Sequence, residues 1–127
     1  MARYVLDATF LIDYMRDDLA AVKRFARFFV DGDDLLVSEI CVCETRYGLR
    51  PAQVDDFEQM LRPIEFVQPG PDSAMTAGLW RAEARERGRK LSLSDALIAS
   101  AAAASDAIVL TRNVRDFSLT PVRVESY

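Results

Sequence analysis

The chain has 127 residues, half of them apolar and 28% charged, the make-up of one ordinary folded domain rather than of a disordered segment. It contains no histidine, which excludes Ser-His-Asp and Cys-His triads, imidazole general bases and His-containing zinc motifs. The formal charge of −4 and pI near 4.8 exclude the broad positive field of a duplex-coating protein. In chain order, Arg3 to Leu6 reads as a short buried strand closed by Asp7. A helix from about Thr9 to Arg16 follows, with Thr9 as a candidate N-cap. The next helix puts Leu19, Val22, Phe25, Ala26, Phe29 and Val30 on one face at three-and-four spacing, and stops at Asp31-Gly32.

Leu35 to Val37 is a second strand, and Ser38 caps a helix through about Tyr47 with Gly48 as its stop. A helix over Ala52 to Leu61 ends before Pro63, and Ile64 to Val67 reads as a third strand. Gln68-Pro69-Gly70-Pro71 is the clearest turn signal, after which a long helix runs from Asp72 to about Gly88. Leu91 to Leu93 links it to an alanine-rich helix, Ser94 to Ser105. Ile108 to Thr111 is the fourth strand, Arg112 to Thr120 a loop, and Val122 to Val124 a last short strand. Apolar strands alternating with helices predict an α/β fold: a short, mostly parallel central sheet of four to five strands in three α/β/α layers. No internal repeat or Gly/Ser linker divides residues 1–127, so the expectation is a single domain.

Cys41 and Cys43 lie two apart on a helix and read as buried, reduced core thiols, which with the absence of a secretory segment implies the cytoplasm. The apolar stretch Ala96 to Ala104 is about half the length of a membrane span, so no membrane association is expected.

In a parallel α/β sheet, strand C-termini and helix N-termini share one edge, where ligands bind. Asp7 ends strand one, Asp95 lies in the first turn of the alanine-rich helix, and Asp116 follows strand four. Glu44 lies about six residues into the helix after strand two, roughly 9 Å along its axis. Four carboxylates therefore converge, and their repulsion calls for a divalent cation; oxygen ligands of this kind suit Mg²⁺ or Mn²⁺. Setting these four aside leaves acids and bases equal in number.

Each acid also has a plainer reading. Ser92 and Asp95 fit a helix-capping pattern, Glu44 is placed to pair with Arg46 or Arg50, and Asp116 to shape its turn. Asp7 is the hardest to dismiss, because a charge ending a buried strand is costly unless used. Thr9 is placed to direct its hydroxyl at Asp7 as well as to cap its helix. Thr111-Arg112-Asn113 adds a hydroxyl, a cation and an amide, with Arg112 either a phosphate contact or a surface ion pair. Of the 16 cations 14 are Arg, and five basic residues against two acidic ones run from Arg81 to Lys90, either a phosphate-binding stripe or a solvated helix face.

Four segments, in order, give the chain its family likeness: Val5-Leu6-Asp7-Ala8-Thr9 with Leu11-Ile12-Asp13-Tyr14; Glu44-Thr45-Arg46-Tyr47-Gly48; Ser94-Asp95-Ala96-Leu97-Ile98-Ala99; and Leu110-Thr111-Arg112-Asn113-Val114-Arg115-Asp116-Phe117. Over nearly its whole length the chain resembles PIN-domain proteins, and more narrowly the VapC-type toxin ribonucleases of toxin–antitoxin pairs. The resemblance implies a PIN-like fold in which Asp7, Glu44, Asp95 and Asp116 hold Mg²⁺ or Mn²⁺ and activate water for RNA cleavage. It also implies a homodimer and a small cognate antitoxin that blocks the site. The chain departs from the family pattern at Thr9, where Ser or Asn is common, and at Thr45, where Leu often follows the second acid.

The expectation is thus a metal-dependent endoribonuclease, the alternative being a non-catalytic PIN-like module that binds RNA or protein. Phosphoryl-transfer folds with acids at strand ends fit less well. The haloacid-dehalogenase type wants a second Asp where Thr9 stands, and the response-regulator type wants a lysine after a late strand, where only arginines occur.

Overall fold

The short strands carry apolar residues on both faces and are separated by helices, which suits a parallel sheet covered on each side by its crossovers. The computed structural model describes residues 1–127 and has this arrangement. Strands β1 (Arg3–Leu6), β2 (Asp34–Ser38), β3 (Glu65–Val67), β4 (Ile108–Leu110) and β5 (Val124–Glu125) form one sheet in the order β3-β2-β1-β4-β5, every pair parallel. Helices α1 (Ala8–Met15) and α2 (Leu19–Asp31) join β1 to β2. Helices α3 (Glu39–Gly48) and α4 (Val54–Leu61) join β2 to β3, with a 3₁₀ turn at Pro51–Gln53 between them. Helices α5 (Pro71–Glu86) and α6 (Leu93–Ala104) return the chain to β4, and α7 (Val114–Phe117) precedes β5.

The strand order reverses between β1 and β4. Right-handed crossovers then place α1 to α4 on one face of the sheet and α5 with α6 on the other. Val5, Leu6, Leu36, Val37, Val109 and Leu110 form a fully buried layer between them. Phe10, Leu11, Phe25, Phe28, Ile98 and Phe117 pack into the same core. A smaller cluster of Ala77, Ala84, Leu91 and Ala96 sits where α5 meets α6, its small side chains allowing close approach.

Four local expectations are corrected. On α2 the buried residues are Ala21, Phe25 and Phe28, whereas Leu19, Phe29 and Val30 are exposed. The cause is Arg24, whose guanidinium lies 4.0 Å from the Phe28 ring centre and 5.1 Å from that of Tyr4, and pairs with Glu125 at 3.4 Å. A stacked Arg covers core surface with its stem, so a position that reads as polar belongs to the inner face. Asp7, not Thr9, holds the N-cap position of α1, because the chain turns immediately after β1. Cys41 is buried but Cys43 is exposed. The segment after β4 is not all loop: Phe117 inserts into the core and draws Val114 to Phe117 into the short helix α7.

Beneath α3, the buried Thr45 donates its hydroxyl to the Cys41 carbonyl at 2.8 Å, so the polar residue is satisfied locally. No helix is long and apolar enough to cross a membrane.

Candidate functional site

The strand-order reversal opens a crevice outside the carboxyl ends of β1 and β4, the usual ligand position in such sheets. Asp7 and Thr111, the residues immediately after those two strands, stand there side by side. The Asp7 N–H donates to the Leu110 carbonyl at 3.1 Å, extending the β1–β4 pairing by one step. The Asp7 carbonyl accepts the Phe10 and Leu11 N–H groups, which starts α1.

Only 3% of Asp7 is exposed, and a carboxylate so placed needs partners. Its Oδ2 receives the Thr111 hydroxyl at 2.7 Å and the Thr9 hydroxyl at 2.9 Å. Thr111 Oγ1 in turn accepts the Asn113 backbone N–H at 2.9 Å. Each hydroxyl has one proton, so with both given to Asp7 the 3.2 Å approach of Thr9 Oγ1 to Thr111 Oγ1 is a contact imposed by their shared acceptor. The N-terminus of α1 adds a favourable dipole. Asn113 thus acts through its backbone rather than its side-chain amide.

The other three acids come from α6, α3 and α7. Asp95 lies in the first turn of α6, where the Ser92 side chain caps the helix by accepting the Asp95 N–H at 3.1 Å. Its carboxyl is half-buried and its pKa is raised, first by burial, against a lowering contribution from Ser92, and then by the charges of Asp7, Asp116 and Glu44. Glu44, on the exposed side of α3, also has a raised pKa, through desolvation and then the charge of Asp7, with Ser94 acting in the opposite sense. Asp116 is exposed on α7, held in place by the buried Phe117 beside it. Asp95 is therefore within Coulombic reach of the other three acids and Glu44 of Asp7, although no three carboxylates or thiols are drawn in tightly enough to chelate one ion. The donors are all hard oxygens with surplus negative charge, and Asp7 leaves Oδ1 without a hydrogen bond. This donor set suits a small divalent cation of the Mg²⁺ or Mn²⁺ type.

Arg112 is occupied. It forks onto Asp18 at 2.8 and 3.1 Å, reaches Asp13 at 3.2 Å, and stacks 4.7 Å over the Tyr127 ring. Tyr127 donates its hydroxyl to Asp13 at 2.5 Å. The Arg112 fork holds the Asp18 carboxyl below the usual range, and Asp18 also caps α2 through the Ala21 N–H. Asp18 and Tyr127 have no part in the sequence analysis, and Asp13 enters it only within a family segment, because Asp13 and Asp18 are nearly a hundred residues from Arg112 and no local spacing reports their pairing. Cys41 lies under α3, and burial pushes its thiol up to about 12, so it is not a nucleophile. A cleft of about 920 Å³ lies away from the acids, between the α1–α2 turn and α4, with Tyr14, Phe25, Arg50 and Met60 among its lining.

Residues 4–121 match the family model described as PIN domain. Ribonuclease VapC19 of Mycobacterium tuberculosis is 28% identical over 117 residues, covering 92% of this chain and 94% of that protein. The tRNA(fMet)-specific endonuclease VapC of Shigella flexneri is 25% identical over 122 residues, covering 92% and 91%. Among solved structures, a chain of the Rickettsia felis VapBC2 complex with a promoter DNA fragment superposes with a TM-score of 0.86 at 20% identity, covering 98% of each chain. A chain of DNA-bound VapBC from Salmonella typhimurium gives 0.85 at 24% identity, covering 99% and 98%.

Proposed function

We propose that this chain, which belongs to the PIN-domain family, is a metal-dependent endoribonuclease formed by residues 1–127 and the toxin of a toxin–antitoxin pair. The observation that carries the reading is Asp7: a buried carboxylate at the sheet's reversal point, with one oxygen gripped by two hydroxyls, the other left open, and three more acids around it. The names of its relatives, ribonucleases and endonucleases of the VapC type, supply the substrate class.

Asp7, Glu44, Asp95 and Asp116 would hold Mg²⁺ or Mn²⁺, with Asp7 and Asp95 the nearest to the buried floor. When bound, the ion supplies positive charge to the scissile phosphate and acidifies water. Thr9 and Thr111 fix the Asp7 carboxylate in one orientation, so that Oδ1 faces the ligand without a search among rotamers. With no histidine in the chain, the proton lost by the attacking water passes to a carboxylate. The ordered acidic pocket repels RNA when empty, so cleavage follows metal concentration steeply.

The relatives of known structure are chains of VapBC complexes, which supports a small antitoxin as partner; the family resemblance implies a second copy as another. The exposed Leu19, Phe29 and Val30 of α2 and Met75 and Leu79 of α5 offer apolar surface for such contacts. Cytoplasmic RNA is the substrate this reading requires. The test is RNA cleavage by the purified chain with Mg²⁺ or Mn²⁺, with EDTA, and with Asp7→Asn. Cleavage only by the metal-loaded wild type supports the assignment. RNA binding that survives EDTA with no cleavage under any condition replaces it with a non-catalytic module.

A further inference from the structure

Six ion pairs occupy Arg3, Arg24, Arg27, Arg112 and Arg123 with nearby acids. Arg81, Arg85, Arg89 and Lys90 take part in none of them, and all four line one groove of about 380 Å³ with Leu91 at its end. In a chain of net charge −4, that is a concentration of unneutralised positive charge at a single place.

The backbone builds the cluster deliberately. Gly88 takes a left-handed φ of 69° at the end of α5, the Gly88 N–H donates to the Arg85 carbonyl, and the Arg89 N–H to the Ala84 carbonyl at 2.8 Å. This helix-ending motif folds Arg89 and Lys90 back over the last turn of α5, beside Arg85. Arg81 is fixed from the other side, its Nε donating to the Leu91 carbonyl at 3.0 Å, which leaves both terminal nitrogens of the guanidinium free. The groove also adjoins the acids. Leu91 precedes Ser92, the cap that receives the Asp95 N–H, so the Leu91 and Asp95 Cα atoms are at most about 15 Å apart.

We propose that this groove holds the backbone phosphates of single-stranded RNA flanking the bond to be cut. The inference rests on the nuclease reading above and deepens it. An acidic pocket alone repels a polyanion, and the substrate needs a cationic foothold within a few nucleotides of the scissile phosphate; the Arg81–Lys90 groove is that foothold. Arginine forks suit phosphate oxygens. The remaining lining, Gly78, Ala82 and Leu91, has no aromatic surface for stacking bases, so the grip is on the backbone and independent of sequence.

The experiment is binding of a fluorescently labelled single-stranded RNA oligonucleotide to the full chain in EDTA, by anisotropy across a salt series. Wild type is compared with Arg85→Gln/Arg89→Gln, and with Lys90→Gln should the double variant misfold. Each phosphate contact on a single strand contributes a slope of about 0.7 in log K against log salt. The double variant is expected to flatten the slope by about 1.4, equally for two unrelated sequences, while KM for cleavage rises and kcat changes little. An unchanged slope overturns the inference. So does an unchanged slope for RNA combined with lost binding of a poly-glutamate peptide, which makes the groove a protein site. Salt-dependent RNA binding lost in the variant, with no cleavage by wild type in Mg²⁺ or Mn²⁺, upholds the groove and overturns the nuclease reading instead.

Discussion

Replacing Thr111 with valine removes one hydroxyl and almost no volume from a fully buried position. Two hydrogen bonds disappear with it: the one donated to Asp7 at 2.7 Å and the one accepted from the Asn113 N–H at 2.9 Å. The first ends on a carboxylate and contributes about 1.5–3 kcal/mol; the second leaves a partly buried donor unpaired, at about 1 kcal/mol. Asp7 keeps the Thr9 hydroxyl, which limits the damage. The expected loss is about 2–4 kcal/mol, a substantial part of the stability of a domain this size. Thr111→Ser keeps both bonds and loses one methyl, at about 1 kcal/mol. Urea unfolding in EDTA at neutral pH measures both, and Mn²⁺ titration of the folded proteins should show affinity reduced about 10–100-fold in the valine variant alone. A valine variant within about 0.5 kcal/mol of wild type, or a serine variant less stable than it, would refute the argument that these hydroxyls are what make the buried carboxylate tolerable.

The pKa values of Glu44 and Asp95 are raised in the folded chain, so their protonated forms favour folding, and that contribution is lost as pH rises through the raised values. In EDTA, Glu44→Gln and Asp95→Asn should therefore unfold at higher urea than wild type at neutral pH. The gap should close below the ordinary carboxylate range of about pH 4, and saturating Mn²⁺ should reverse it. Asp7→Asn should lower metal-dependent cleavage by roughly 10²–10³-fold with the fold intact by circular dichroism, whereas undiminished cleavage would remove Asp7 from the site. On α2, Phe28→Ala should cost about 3–5 kcal/mol in urea unfolding and Phe29→Ala less than about 1 kcal/mol; equal losses would contradict the inward face described above.

The alternation of apolar strands with helices is enough to predict a parallel sheet, because parallel strands need helical crossovers and those helices bury such runs on both faces. From that topology alone, Asp7, Asp95, Asp116 and Glu44 fall along one edge, with Thr9 and Thr111 next to the first of them. What local pattern does not carry is pairing across distance. The inner face of α2 is hidden because Arg24 owes its burial to Tyr4, Phe28 and Glu125. Between a phosphate contact and an ion pair at Arg112 the sequence does not choose, because Asp13 and Asp18 are nearly a hundred residues away. Asn113 contributes a backbone donor, to which its side-chain identity is no guide. The helix α7 exists because Phe117 needs a place in the core, which four residues of sequence cannot announce.

Asp7 and the hydroxyl that steadies it are 104 residues apart, and β4 is made only after β1 to β3 and helices α1 to α6. At roughly 5–20 residues per second, the ribosome takes about 5–20 s to travel from one to the other. Throughout that interval the first acid is already synthesised but has no fourth strand beside it, and the crevice does not yet exist. A chain interrupted before β4 therefore carries the buried acid of the site without the strand, the hydroxyl or the crevice that would put it to use.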